Sequence, residues 1–245
     1  MRSLSAQNMI EIWETGQKQH PIDRAMTLLS FAYPDKSVDE LASLSIGQRD
    51  ASLLTLREIT FGNKMESYAE CPKCGERLEF TVNVADIRVT EPIPAINQEY
   101  LLTSGDLKLR FRLPNSKDLA AVVGYQDVNK ARYLIGQRCV LEVHRDEVAL
   151  DNKELSPDLM TVLAQQMAEC DPQAEILLNL TCPACNHDWQ ILFDIVAFFW
   201  SEISVQAKRL LHEVHTLARF YGWREADILA MSAVRRQFYL DLAVS

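Results

Sequence analysis

Two short cysteine motifs constrain this chain more than any other feature of its sequence. The first, CPKC, runs from Cys71 to Cys74, and the second, CPAC, runs from Cys182 to Cys185, with residues 75–181 between them. A Cys-x-x-Cys turn presents two sulfur atoms to one metal ion, and two such turns supply the four ligands of a tetrahedral zinc site. The pattern therefore predicts that two distant segments of the chain meet around one ion.

Two alternatives to a zinc site stay open for these cysteines. A Cys-x-x-Cys pair can be a redox-active dithiol, or the four thiols can be unrelated buried side chains. Both pairs have the form CPxC and both precede a strand-like run, and this duplication favours zinc. Cys139 and Cys170 have no partner at such a spacing, and we interpret them as buried thiols.

The predicted zinc ion is structural. With Cys71, Cys74, Cys182 and Cys185 as its ligands, no coordination position is left for water or a substrate. Such a site closes a long loop, and in small zinc modules metal binding contributes on the order of 10 kcal/mol to folding. We expect His187, which follows the last cysteine closely, to be at most a neighbour of the ligands.

Hydrophobic periodicity divides the chain between helices and strands. Helical patterns dominate the region up to a predicted stop at Gly62, and a period of two follows the first cysteine pair in RLEFTVNVADIRV, which predicts a half-buried strand. A hairpin is predicted around SGD, and a helix begins at Ser156 and Pro157. After the second pair, DWQIL is strand-like, and a long amphipathic helix ends near Gly222 before two short helices.

The segment between the cysteine pairs is predicted to be an inserted α+β unit. Its opening, EPIPA, suits a linker, and CVLEVHRDEVAL is predicted to be a strand followed by a turn at DNKE. The predicted fold class is α+β, with mainly helical N- and C-terminal regions joined by a four-cysteine zinc ribbon built from two distant halves. The predicted domains are a helical region at 1–66, ribbon halves at 67–90 and 178–195, the inserted unit at 91–177 and a helical region at 196–245.

Composition and charge argue against several classes of function. The chain has 25 Lys and Arg against 34 Asp and Glu, and its formal charge of −9 disfavours general attraction to nucleic acid. Without a signal peptide or a membrane-spanning apolar run, we expect a cytoplasmic protein with no membrane partner. GxSxG, phosphate-binding glycine loops and dinucleotide fingerprints do not occur, so we predict no enzymatic activity, no catalytic residues and no small-molecule substrate.

Two further features invite a functional interpretation. HEVH at 212–215 is similar to the zinc-protease motif, but its histidines are three residues apart instead of four, which favours an ordinary helix face. Arg235 and Arg236 either pair with acidic residues of a partner or lie on a solvated helix face. Nearby aromatic side chains belong to a core or to an interface: Trp223, Phe238 and Tyr239.

A family resemblance is carried by LARFYGW, ILAM and RRQFYL, between Leu217 and Leu240. These residues resemble the C-terminal region of the T-even-type phage baseplate hub assembly chaperone family, including versions encoded with phage-like contractile injection systems. SIGQRDASLLTLREITFG, the two CPxC pairs and Trp189 are similar to a zinc-knuckle version of that family. The similarity covers most of the chain outside roughly 91–177.

The resemblance implies a non-enzymatic assembly factor that helps to build the central hub of a contractile tail baseplate. Its expected partners are baseplate hub or spike proteins, and it would act in the cytoplasm or become incorporated in a tail particle. Three alternatives stay open: a permanent structural component of the baseplate, a nucleic-acid-binding zinc ribbon, which is less favoured, and an enzyme whose site no motif reveals, which ranks last.

Overall fold

The computed structural model describes residues 1–89, 98–145, 148–150 and 155–244. Within these residues the fold is α+β, with helices around three small antiparallel sheets. The helices are α1 (Ala6–Gly16), α2 (Pro21–Ala32), α3 (Val38–Ala42), α4 (Ile46–Phe61), α5 (Val84–Ile87), α6 (Ser116–Ala120), α7 (Val128–Cys139), α8 (Pro157–Cys170), α9 (Ile195–Tyr221), α10 (Glu225–Leu229) and α11 (Ala233–Val244). The strands are β1 (Lys64–Glu70), β2 (Arg77–Asn83), β3 (Glu99–Ser104), β4 (Leu107–Arg112), β5 (Val140–Arg145), β6 (Val148–Leu150), β7 (Leu177–Thr181) and β8 (Asp188–Leu192).

Four helices precede the first cysteine pair, and their boundaries follow from local chemistry. The hydroxyls of Ser5, Ser37 and Ser45 each accept a hydrogen bond from an amide in the first turn of the helix that follows. These bonds satisfy donors that a helix start otherwise leaves unpaired. Pro21 occupies the first position of α2, where its missing amide proton costs nothing. The helical prediction for this region, including the stop at Gly62, is confirmed.

The first hydrophobic core joins these helices to the beginning of α9 and to the hairpin of β1 and β2. Its buried side chains include Leu28, Leu29, Leu53, Leu54, Leu56, Met65, Val82, Val84, Ile195, Phe199 and Ile203. The ring of Phe61 packs edge-on against that of Phe199, with centroids 6.0 Å apart. Arg57 reaches across to Glu202 of α9, with 2.6 Å between Nη2 and Oε1. Residues before the first cysteine pair are therefore packed directly on residues after the second.

Each cysteine pair lies at the tip of a two-stranded antiparallel hairpin. β1 pairs with β2, ending at Glu70 opposite Arg77, and β7 pairs with β8, ending at Thr181 opposite Asp188. Alternate side chains of both hairpins are buried or half-buried: Met65, Ser67, Ala69, Leu78, Phe80, Val82, Leu178, Leu180, Trp189 and Ile191. The strand predicted for RLEFTVNVADIRV is confirmed by β2 as far as Asn83, but its continuation is wrong, because Val84–Ile87 form the short helix α5. The strand prediction for DWQIL is confirmed by β8.

Two strands were not predicted from the sequence. β1 begins at Lys64, inside the range assigned to helices, and its inward positions include Ser67 and Ala69, which give too weak an apolar signal to reveal a period of two. β7 begins with Leu177 and Leu178 in succession, and this repeat breaks the alternation. Both strands end directly before a cysteine pair. Each pair therefore lies between two paired strands, whereas the sequence predicted a strand only after it.

The segment between the hairpins has its own hydrophobic core. Its antiparallel sheet has the order β3-β4-β5-β6 and carries α7 and α8. The buried side chains include Leu102, Leu109, Phe111, Val140, Val143, Leu159 and Leu163. The hairpin around SGD is confirmed, with Ser104 opposite Leu107, and so is the helix that Ser156 caps. An α+β unit therefore lies between the cysteine pairs.

Parts of this unit differ from the prediction. CVLEVHRDEVAL, predicted as one strand, forms the end of α7 and then two paired strands, with His144 of β5 opposite Ala149 of β6. Helix α7 was not predicted, because polar residues and Gly136 interrupt its apolar pattern. EPIPA and DNKE lie outside the described residues.

The long amphipathic helix predicted after the second cysteine pair is confirmed as α9. It ends at Gly222, whose φ of +69° is the left-handed conformation that commonly ends a helix. The two predicted short helices are α10 and α11. A third hydrophobic core forms between α1, α9 and α10, and its buried side chains are Ile10, Ala207, Leu210, Val214, Leu217, Ile228 and Leu229.

The inserted unit also contacts the start of α4. The amide of Ile46 donates to the carbonyl of Pro114 over 3.1 Å, and the amide of Gly47 donates to the Asp171 carboxylate over 2.9 Å. A Cβ atom at position 47 would overlap that carboxylate, so glycine allows the close approach. The unit is thus held at a second place, away from the cysteines.

Candidate metal centre

Four cysteine sulfur atoms meet where the tips of the two hairpins converge. The Sγ atoms of Cys71, Cys74, Cys182 and Cys185 all lie within 4.8 Å of one another. Two of the separations are 3.8 Å, between Cys71 and Cys185, and 3.5 Å, between Cys74 and Cys182. A tetrahedral site with Zn–S bonds of about 2.3 Å requires neighbouring sulfur atoms about 3.8 Å apart. The arrangement therefore fits a metal ion at its centre.

The two cysteine loops have the same backbone structure. In each, the amide of the first cysteine, Cys71 or Cys182, donates to the carbonyl five residues later, over 2.8 and 2.9 Å. The amides of Gly75 and Asn186 donate back to the carbonyls of these first cysteines, each over 2.9 Å. Gly75 and Asn186 have φ values of +76° and 52°, a conformation that glycine and asparagine adopt most readily. The repeated sequence is thus a repeated structure.

The two hairpins place one side of the cluster inside the protein and the other towards solvent. Cys71 and Cys182 are buried, Cys185 is half-buried and Cys74 is exposed. The first cysteine of each pair follows the last residue of a strand directly, whereas the second lies further out in the loop. A chelator in solution would therefore have access to the site.

Backbone amides and neighbouring thiols set the proton affinity of the cluster. Burial raises the pKa of Cys71, but the amides of Cys74 and Lys73 outweigh it and lower the pKa to about 7. The Glu76 amide lowers the pKa of Cys74, but the Cys185 thiol and burial raise it to about 12. The pKa of Cys185 is raised, chiefly by burial. Four thiolates so close together require a cation between them, so metal binding would release protons.

The donor set determines what this centre can do. Four sulfur atoms in a tetrahedral arrangement are typical of Zn²⁺ or iron sites. Since the protein supplies all four donors, a bound ion has no open position at which to activate water. The arrangement can hold two segments together, but it is unsuited to metal-assisted hydrolysis.

The other cysteines and His187 lie outside the cluster. Cys139 is buried beside Asp118, with 3.8 Å between its Sγ and the carboxylate, and burial raises its pKa to about 12. Cys170 is half-buried at the end of α8. The His187 ring stacks on Trp189 with centroids 6.1 Å apart, and it does not belong to the group of potential ligands. Within the described residues, metal-ligating side chains converge at the four predicted cysteines.

The HEVH motif serves the packing of helices. His212 and His215 are exposed on α9. Glu213, between them, pairs with Arg209 over 3.1 Å and with Arg236 of α11 over 2.8 Å. Both Glu213 and Arg236 are largely buried, so Arg236 is part of the fold and does not face a partner. The expectation of an ordinary helix face agrees with this geometry.

Comparison with known proteins identifies one relationship. A family model described as "T4 bacteriophage base plate protein" matches residues 8–200 of the chain. The match includes both hairpins and the inserted unit, whereas the LARFYGW, ILAM and RRQFYL motifs lie beyond it. Curated proteins and solved structures gave no significant match. In the described part of the chain, every helix is too short or too polar to cross a membrane.

Proposed function

The chain belongs to the T4 bacteriophage base plate protein family, and on that premise we propose that it is a non-enzymatic assembly factor for the baseplate hub of a contractile tail. The observation that carries the proposal is the family match over residues 8–200. The chaperone function is its finer part, and it is supported by the resemblance of residues 217–240 to hub assembly chaperones. The partners would be hub or spike proteins of a phage tail or of a phage-like contractile injection system.

The second part of the proposal is that Cys71, Cys74, Cys182 and Cys185 hold one structural Zn²⁺ ion. The separations of the sulfur atoms, the repeated loop structure and the complete set of four protein donors support it. The ion would supply the positive charge that four adjacent thiolates need. The amides of Cys74 and Lys73 would stabilise the Cys71 thiolate in the bound state. An assembly factor with this centre would keep its two hairpins, and hence its inserted unit, in one arrangement.

The absence of enzymatic activity is supported by what lines the grooves of the protein. A groove of about 710 Å³ lies between the hairpins and α9, where Arg57 and Glu202 already pair with each other. A second groove, of about 670 Å³, lies between α7 and α8 and is largely apolar. Neither groove, as far as the described residues line it, contains a nucleophile next to a histidine base. Both are better suited to protein contact than to catalysis.

Two parallel measurements test the function. The tagged chain is captured from its native host and its partners are identified by mass spectrometry, and purified tail particles are analysed in the same way. A chaperone should bind hub or spike proteins and be missing from finished particles. Its presence in particles at a fixed stoichiometry would make it a permanent baseplate component. Normal, contractile particles from a strain that lacks the gene would contradict both functions.

The nucleic-acid alternative has its own test. Binding of the purified protein to DNA and RNA is measured over a range of salt concentrations. Because the formal charge is −9, we expect no binding at physiological ionic strength. Tight binding that weakens with salt would favour the nucleic-acid-binding zinc ribbon instead.

A further inference from the structure

Helix α11 is apolar on two opposite faces. On its inner face, Arg236 and Tyr239 contact residues of α9. On the outer face, Val234 and Phe238 are 82% and 61% exposed, and Leu242 continues the same line with 51% exposure. Residues four apart lie on one side of a helix, so these side chains form an outward stripe, here called the α11 stripe. A helix that packs by one face normally presents polar residues on the other.

An aromatic cluster links the α11 stripe to the body of the protein. The Tyr239 ring lies 4.8 Å from Trp223, 5.7 Å from Tyr221 and 5.7 Å from Phe238, centroid to centroid. Phe220, at the other end of the cluster, is packed 5.5 Å from Tyr221 and is itself 61% exposed. The cluster therefore packs against the third hydrophobic core through half-buried rings and ends in exposed rings at the surface.

The α11 stripe is held rigidly in place. The Nε atom of Arg236 donates to Glu213 of α9 over 2.8 Å, and its Nη1 atom donates to the Met231 carbonyl over 2.6 Å. The hydroxyl of Tyr221 donates to the carbonyl of Tyr239. A surface fixed before binding loses less entropy when a partner binds. The helix is thus positioned by contacts that its outward residues do not share.

Exposed apolar side chains need an explanation only when they form a group. Scattered ones are normal on soluble proteins, whereas contiguous ones often mark a contact surface. Here Val234 and Phe238 adjoin Tyr239 and Arg235, and aromatic residues with arginine are typical of the positions that dominate binding energy at protein interfaces. The composition therefore favours a protein ligand.

Charge indicates the kind of protein. Arg219, Arg224 and Arg235 form no ion pair within the described residues, and the Arg235 guanidinium lies 5.8 Å from the Tyr239 ring centroid. Residues 196–245 contain six basic and five acidic side chains, although the whole chain has a charge of −9. The formal charge is thus +1 for residues 196–245 and −10 for residues 1–195, so an acidic ligand is repelled less here than elsewhere on the protein, and Arg235 lies beside the stripe to pair with it.

From these observations we propose that the α11 stripe binds an amphipathic helix of another baseplate protein, one that carries acidic residues beside an apolar line. The inference rests on the proposed function and specifies a surface for it. The stripe spans nine residues, so its ends lie about 12 Å apart at a rise of 1.5 Å per residue, which matches about two turns of a partner helix. Apolar contact with Phe238 would supply affinity, and ion pairs with Arg235 would supply orientation.

A second copy of this chain fits the stripe less well. In a two-fold pairing of antiparallel helices about Phe238, each flank of the stripe faces the same flank of the other copy. Arg235 would then lie on the same side as its own counterpart, and like charges there oppose association. An acidic helix meets no such repulsion.

The experiment measures binding of the full chain to each hub and spike protein of the same particle, expressed singly, by calorimetry. For Phe238→Glu we expect affinity for the partner to fall by about a hundredfold, and for Arg235→Glu by about tenfold. Leu101→Glu, a change at a side chain with 78% exposure on β3, and Lys18→Glu, at an exposed lysine just after α1, are the matched controls and should bind normally. Wild-type affinity should also fall as the salt concentration rises.

The outcomes separate this inference from the proposed function. If no hub or spike protein binds the wild-type chain, the proposed function is wrong, and so is the inferred partner helix. If one binds and Phe238→Glu binds it equally well, the function stands and the α11 stripe is not the surface. If ultracentrifugation shows a wild-type dimer that Phe238→Glu dissociates, the occupant is a second copy and the inference is overturned. Circular dichroism checks that each variant is folded.

Discussion

Two clusters of ionisable side chains, one inside the inserted unit and one at its two ends, differ in the source of the charge that balances them. Asp118, 0% exposed, accepts hydrogen bonds from Arg112 over 2.6 and 2.9 Å, from Arg138 over 3.0 Å and from the Asn115 amide over 3.1 Å. Burial raises the pKa of Asp118, but these bonds outweigh it and the pKa is lowered. The chain itself therefore supplies the positive charge that this carboxylate needs.

The four-cysteine cluster differs in this respect. The groups that act on its thiols are backbone amides and the other thiols, which can stabilise one thiolate but not four. In the proposed metal-bound state, the charge of the four thiolates would be balanced by the bound cation. The inserted unit is therefore stabilised internally by charges that its own residues supply, whereas its attachment at the four cysteines would depend on the proposed metal ion.

Removal of a cysteine should have the largest effect. Cys182→Ser deletes a buried ligand, and we expect loss of the ion and a decrease of about 5 kcal/mol or more in the free energy of unfolding, since structural zinc contributes on the order of 10 kcal/mol in small modules. Metal content and denaturant unfolding measure this. Cys170→Ser, at a half-buried thiol outside the cluster, should change stability by less than about 1 kcal/mol. Equal stability of the two variants would show that a metal ion at these cysteines does not stabilise the fold.

Disruption of the Asp118 cluster should have a smaller effect that does not depend on metal. Asp118→Ala leaves Arg112 and Arg138 without their shared carboxylate, and we expect a loss of about 3 kcal/mol, because removal of one member of a buried ion pair is costly. Asp106→Asn, in an exposed pair with Arg145, should cost less than about 1 kcal/mol. The loss for Asp118→Ala should be the same with and without chelator. A loss that vanishes in chelator would mean that the clusters are coupled.

The contact of Asp171 with α4 can be tested by a single methyl group. Gly47→Ala places a Cβ atom against the Asp171 carboxylate, and we expect a loss of about 1–3 kcal/mol. In an Asp171→Ala background the same change should cost much less, since the overlapping atoms are gone. Metal content should stay unchanged in both. Additive effects would show that the strain does not arise at this contact.

Lowering the pH should remove the contributions of the two clusters one after the other. Because folding lowers the pKa of Asp118, its contribution is fully present above the unfolded value of about 3.9 and is lost as the pH falls through the lower folded value. Protons compete with metal for thiolates, so the metal-dependent part of stability should decline earlier, between about pH 7 and pH 5. Unfolding of wild type and Asp118→Asn, each with and without chelator, separates the contribution of Asp118 from that of the metal. The difference in the free energy of unfolding between wild type and Asp118→Asn should persist above about pH 5. Its disappearance there would contradict a lowered pKa for Asp118 in the folded state.

The sequence predicted the features that short motifs encode. The CPxC repeats identified four residues that the fold brings together, and Ser156, Pro157 and Gly222 marked the ends of helices correctly, because caps act within a few residues. The pattern after each cysteine pair predicted β2 and β8. The assignment of domains and of zinc as the ligand remains a prediction.

The features that were missed depend on residues far apart in the chain. Ser67 and Ala69 face inwards because the hairpin packs on the first hydrophobic core. Neither side chain is apolar enough to show a period of two in the sequence of β1. The approach of Gly47 to Asp171 joins residues with no motif around either. The pairing of Glu213 with Arg236 joins α9 to α11, and no local pattern around either residue indicates it. Long-range packing decides such positions, and local propensity does not report it.

The most direct test of the central claim, that one metal ion joins the two distant hairpins, is native mass spectrometry of the full chain purified without chelator, with elemental analysis. We expect one zinc ion per chain. We also expect the thiols of Cys71, Cys74, Cys182 and Cys185 to react with a thiol reagent only after a chelator has removed the ion. A zinc content near zero, with these four thiols free or joined in disulfides, would contradict it.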